Sequence, residues 1–76
     1  MPQYFFHVFN GKAMIDRVGH DLAGMEAVRQ EAVRASGQIL SNDGYTWKGE
    51  AWSMVVVDAA DNVVFSTSFS VDPHDR

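Results

Sequence analysis

The sequence predicts a two-layer α+β domain, in which a four-stranded antiparallel sheet carries one helix on one face in the order ββαββ. Three local patterns lead to this fold class: an Asn-Gly turn near the start, an apolar stripe at helical spacing in the middle, and an aspartate-bounded turn near the end. A chain of 76 residues is the size of one domain, 1–76, in which we expect 72–76 to form a frayed tail.

The first hairpin is predicted at Asn10-Gly11, because both residues accept the positive φ of a two-residue type I′ turn. With that loop, the pairs on the expected core face are Val8 with Ala13, Phe6 with Ile15 and Tyr4 with Arg17. The opposite face then carries Phe5, His7, Phe9 and Met14.

The helix is predicted from the spacing of five apolar residues, Met25, Val28, Ala32, Ala35 and Ile39. Steps of three and four place them on one face of a helix of about four turns. Gly24 is the expected N-cap, and the polar segment 41–44 is expected to end the helix.

The second hairpin is predicted around a four-residue loop, Ala59 to Asn62, with Asn62 in the left-handed conformation. This register separates apolar from polar side chains by pairing Trp52 with Phe69, Met54 with Thr67 and Val56 with Phe65. A three-residue loop would pair Trp52 with Ser70 and mix the two kinds. The two hairpins and the helix together predict a core of Phe6, Ile15, Val28, Ala32, Ile39, Met54, Val56 and Phe65.

One helix covers only one face of the sheet, so the other face stays open. Its candidate interface residues are Phe5, His7, Phe9, Val55 and Val57. An open apolar patch is typical of a surface that binds a second copy or a protein partner. The alternative is an ordinary half-polar sheet face exposed to water. His7 is either a locally hydrogen-bonded structural histidine or a group whose protonation switches the interface.

A second candidate is the glycine-flanked segment 42–50, which holds Tyr45 and Trp47. The two aromatic rings could grip a ligand or partner from this loop. Equally, they could fold back and close the open end of a small core.

Composition argues against several classes of function. The chain has no cysteine, and its histidines, carboxylates and serines form neither a metal-ligand pattern nor a nucleophile constellation, so we expect no catalytic residue, metal or cofactor. A net charge of −4 with six scattered basic residues makes direct nucleic-acid binding unexpected. The N-terminus lacks a signal-peptide pattern and no apolar run spans a membrane, so we expect a cytoplasmic protein without a membrane partner.

Four segments resemble a family of small uncharacterised bacterial proteins, a domain of unknown function. They are Pro2-x-Tyr4-Phe5-Phe6-His7-Val8, Gly19-x-Asp21-Leu22, Glu31-Ala32 and Asp58-x-x-Asp61-x-x-Val64. The chain departs from the family pattern at Gly24, where an acidic cap is common, and at Asn62, where glycine is common. The resemblance implies the fold and a bacterial context, and it implies no activity, cofactor or site residue.

The sequence therefore predicts a small non-catalytic cytoplasmic interaction protein that self-associates as a homo-oligomer or binds a protein partner. The alternative is an antitoxin-like regulator that acts in a nucleic-acid-associated complex. Asp21-Leu22-Ala23-Gly24 is similar to the acidic-Leu turn that leads into the helix of small antitoxin subunits.

Overall fold

A computed structural model of the protein describes residues 1–47 and 49–74. The elements in chain order are β1 (Gln3–Phe9), β2 (Ala13–Met14), β3 (His20–Asp21), α1 (Met25–Asp43), a 3₁₀ turn (Gly44–Thr46), β4 (Ala51–Asp58) and β5 (Val63–Ser70). The α+β class, the helix and the antiparallel sheet are confirmed. The sheet has five strands within the described ranges, so the expected four strands in the order ββαββ become βββαββ.

The strands lie in the order β2-β1-β4-β5, and β3 also pairs with β1. The first hairpin is present, but its register differs by one residue from the prediction, because Val8 pairs with Met14 and Phe9 with Ala13. The loop has three residues, with Gly11 at φ 93°, a common alternative to the two-residue turn. Met14 therefore shares the side of Val8 and leaves the helix-free side, where it was expected.

The strand that returns along β1 is interrupted, which corrects a second prediction. Residues 15–19 stand opposite 5–7, so the returning chain has two extra residues and bulges between β2 and β3. Ile15 lies in this bulge and is 46% exposed. The prediction that Ile15 is buried under the helix is wrong.

Helix α1 follows Gly24, as the sequence predicts, and ends at Asp43, within the segment 41–44 that was expected to end it. Its 19 residues make about five turns, one more than expected. Its stripe packs on the sheet through Val28 and Ala32, which are fully buried beside Tyr4, Met54 and Val56. Ala35, Ile39, Phe6 and Phe65 are partly buried against this cluster. Met25, the first residue of the stripe, is 44% exposed, because the helix begins beyond the core.

The register of the second hairpin is confirmed, with Trp52 opposite Phe69 and Val56 opposite Phe65. The left-handed residue is Asp61, at φ 68°, and not Asn62. The Asp58 carboxylate explains the turn, since it accepts hydrogen bonds from the backbone N–H groups of Ala60 and Asn62 at 2.9 Å. The bond from Asn62 is the main reason that the pKa of Asp58 is lowered. The register shifts between Val56 and Val57, and Val64 packs against the core.

The predicted tail, 72–76, has no secondary structure over 72–74. Asp75 and Arg76 lie outside the described residues, as does Lys48 of the predicted binding loop.

Candidate functional site

The structure brings the five predicted interface residues together on the side of the sheet opposite α1. Phe5 pairs with Val57 and His7 with Val55 across β1 and β4, while Phe9 pairs with Ser53. Four of the five side chains are half-buried, and Val57 is only 6% exposed. We call the patch Phe5, His7, Phe9, Val55 and Val57 the helix-free face. It is bounded toward β5 by the exposed hydroxyls of Ser66 and Ser68.

His7 is tied to the edge of this face by a backbone hydrogen bond. The N–H of Asp16 donates to Nδ1 of His7 at 3.1 Å. In this contact the backbone N–H is the donor and the ring nitrogen is the acceptor. The arrangement is that of a locally hydrogen-bonded histidine.

The Asp16 carboxylate organises the bulge beside the helix-free face. Its Oδ2 accepts from the N–H of Phe6 at 3.1 Å, and its Oδ1 accepts from the N–H groups of Val18 and Gly19 at 3.0 Å. Burial by itself raises the pKa of this carboxyl. The hydrogen bonds from Gly19, Phe6 and Val18 outweigh burial, so the pKa is lowered. Asp16 thus replaces the backbone hydrogen bonds that the interrupted strand cannot make. No pattern in the sequence predicted this role.

The bulge also contacts the face at Gly19. Its backbone has φ 80°, and a Cβ at this position would lie 2.8 Å from Cε2 of Phe5. Only glycine allows both this left-handed backbone and the close approach of the ring. The bulge therefore supports one side of the Phe5 ring.

The two aromatic residues of the candidate binding loop are placed differently. Tyr45 is 83% exposed, whereas Trp47 is 6% exposed. The Trp47 ring stacks on Trp52 with centroids 4.8 Å apart and an interplanar angle of 19°, and its centroid lies 6.2 Å from that of Phe69. For Trp47 this is the arrangement of a lid on the end of the core. Only Tyr45 remains open for contact with another molecule.

No cluster of three or more histidine, cysteine or carboxylate side chains occurs within 1–47 and 49–74 that could hold a metal ion. No cavity opens in this part of the chain. Across the same ranges, no helix is both long and apolar enough to cross a membrane. What the structure does offer is the helix-free face and the exposed Tyr45.

Comparison with known proteins places the chain in a family. The family described as Domain of unknown function (DUF6894) matches residues 3–70, nearly the whole chain, so the protein belongs to this family and the resemblance inferred from the sequence is confirmed. No curated protein and no solved structure matches it significantly.

Proposed function

We propose that this member of the DUF6894 family is a small non-catalytic cytoplasmic interaction protein that self-associates or binds a protein partner through its helix-free face. The observation that carries the proposal is the continuity of that face. Three residues of β1 stand beside two of β4, and α1 packs on the other side of the sheet. Apolar patches of this kind on small domains are commonly interaction sites.

The total surface of the chain supports the proposal. The accessible area is 5,230 Å², whereas a compact monomer of this size exposes about 4,650 Å². The excess is roughly 600 Å², about three quarters of the 800 Å² that each partner buries in a standard protein interface. Covering apolar surface stabilises by about 25 cal/mol per Å². A partner on the helix-free face would therefore add substantially to a domain with so small a core.

The first test is site-specific photocrosslinking in the cells that make the protein. Phe9→p-benzoylphenylalanine places the probe on the helix-free face, and Gln30→p-benzoylphenylalanine places it on the exposed side of α1 as a matched control. We expect protein adducts from position 9 and none from position 30. Equal labelling at the two positions, or adducts of position 9 with nucleic acid only, would contradict the proposal.

The second test uses two equivalent substitutions. Val55→Ser removes an apolar side chain from the middle of the face, and Val18→Ser makes the same change at a residue that is 82% exposed in the bulge. We expect Val55→Ser, but not Val18→Ser, to reduce the crosslinked adducts at position 9. If the adducts are equally abundant in both variants, the partner does not bind through this face.

A further inference from the structure

We propose that strand β5 pairs along its outer edge with β5 of a second copy of this chain, antiparallel and with a twofold axis at Thr67. The two sheets would then form one continuous sheet. This inference goes beyond the proposed function, because it assigns a second surface and names its partner. It does not depend on the helix-free face.

The outer edge of β5 (Val63–Ser70), here called the β5 edge, is open. β5 is the last strand in the order of the sheet, and no further strand among the described residues lies beyond it. Proteins usually protect such edges with lysine, proline or a very short strand. β5 has eight residues, none of them charged and none proline. A long uncharged edge is a template for pairing with another strand.

The sequence of β5 matches itself in the antiparallel direction. Phe65-Ser66-Thr67-Ser68-Phe69 reads the same from either end. With the axis at Thr67, Ser66 faces Ser68 of the second copy, and Phe65 faces Phe69 of that copy. A twofold interface requires this self-complementarity, since the same patch is used on both sides. Like side chains would meet on each face, hydroxyl with hydroxyl and ring with ring.

Helix α1 supplies an independent reason for placing the axis at Thr67. The Arg29 guanidinium carbon lies 5.7 Å from the centroid of the Phe65 ring, so this flank of the helix faces β5. At the far end, a Cβ at Gly44 would lie 3.5 Å from Val71. The helix and β5 therefore run in the same direction.

The level of each helix residue along β5 follows from these two contacts. Thr67 lies two residues beyond Phe65, or about 7 Å along the strand. This distance corresponds to between four and five helical residues, counted from Arg29 at about 1.5 Å each. The residue that lies level with Thr67 on this flank is therefore Val33. It is 58% exposed and so is available for contact with a second copy.

The spacing of the layers suits contact between the two helices. Helix α1 contacts both β4 and β5. With its axis midway between these two strands, the helix lies about half a strand spacing inside β5. The twofold axis would lie half a spacing outside β5. With strands about 4.8 Å apart, the two helix axes come to about 10 Å, which is the packing distance of helices. Val33 would then meet Val33 of the second copy at the axis.

Charge patterning on the exposed hydroxyl positions tests the register. In the double variant Ser66→Lys/Ser68→Lys, each lysine faces a lysine of the second copy, which gives two repulsive pairs across the axis. In Ser66→Lys/Ser68→Glu, each lysine faces a glutamate, which gives two attractive pairs. Sedimentation velocity over a concentration series should show a dimer for the unmodified chain. The first variant should be monomeric and the second dimeric. A monomer at every concentration for the unmodified chain, or the same mass for both variants, overturns the proposal.

Disulfide trapping gives a second readout that does not depend on these charges. The chain contains no cysteine, so an introduced thiol has no internal partner. Two helices about 10 Å apart bring facing Cα atoms to between 5 and 6 Å, within the range of a disulfide. Val33→Cys should oxidise to a covalent dimer, and Gln38→Cys, exposed on the opposite flank, should not. Equal crosslinking of the two variants refutes the twofold axis, while the photocrosslinks at position 9 test the helix-free face separately.

Discussion

Trp47 offers the sharpest test of how the end of this sheet is closed. We expect Trp47→Ala to destabilise the protein strongly and Tyr45→Ala to leave its stability nearly unchanged. Trp47 is 6% exposed and stacks on Trp52, whereas Tyr45, two residues earlier, is 83% exposed. Burying a tryptophan removes about 200 Å² from water, or about 5 kcal/mol at 25 cal/mol per Å². Truncation of buried aromatic residues to alanine costs a similar 3 to 5 kcal/mol.

That loss is large for a chain of 76 residues, whose total free energy of unfolding is about 4 to 11 kcal/mol. The melting temperature of Trp47→Ala should therefore fall by at least about 12 °C, since 1 kcal/mol corresponds to about 4 to 8 °C for a domain of this size. Thermal unfolding followed by circular dichroism, at one fixed protein concentration, measures both variants. The exciton signal of the stacked indoles should be lost in Trp47→Ala and retained in Tyr45→Ala. Equal melting temperatures for the two alanine variants would show that Trp47 does not close the core. Trp47 would then again be a candidate for contact with a ligand.

Three further predictions concern the turns and the bulge. Asp16→Asn should lower the free energy of unfolding at neutral pH. Because the folded pKa of Asp16 is lowered, the stability that its carboxylate contributes is present above about pH 4 and is lost as the pH falls through the folded pKa. The unfolding free energies of variant and parent should therefore converge when unfolding is measured at decreasing pH. Gly19→Ala should cost more in urea unfolding than Gly11→Ala, because a Cβ at Gly19 meets Phe5 at 2.8 Å, while a Cβ at Gly11 meets nothing within 4 Å; equal costs would show that the ring yields freely. Asp61→Val should cost about 1 kcal/mol or more in the same assay, because φ is 68° and a branched side chain is strained there; if Asn62→Val costs more, the turn is assigned to the wrong residue.

Sequence patterns predicted the features that depend on neighbours along the chain. The helix Met25–Asp43 and the pairing of Trp52 with Phe69 both follow from local spacing, because apolar periodicity sets which face of an element is buried. The helix-free face was predicted for the same reason. Alternation along β1 and β4 places Phe5 and Val55 away from the helix in either register of the first hairpin.

The tertiary structure decided whatever depends on side chains that meet from distant positions. An Asn-Gly pair permits loops of two or three residues, and here the loop has three, followed by a bulge in which Asp16 bonds to the backbone of Phe6, ten residues away. The local sequence allowed Trp47 either to bind a ligand or to cover the end of the core. The stacking of its ring on Trp52 shows that it covers the core. The exposure of Met25 at the first position of the helix and of Ile15 in the bulge was likewise not predictable from local spacing. Local spacing fixes the direction of a side chain, but only the assembled layers determine whether another part of the chain lies in that direction.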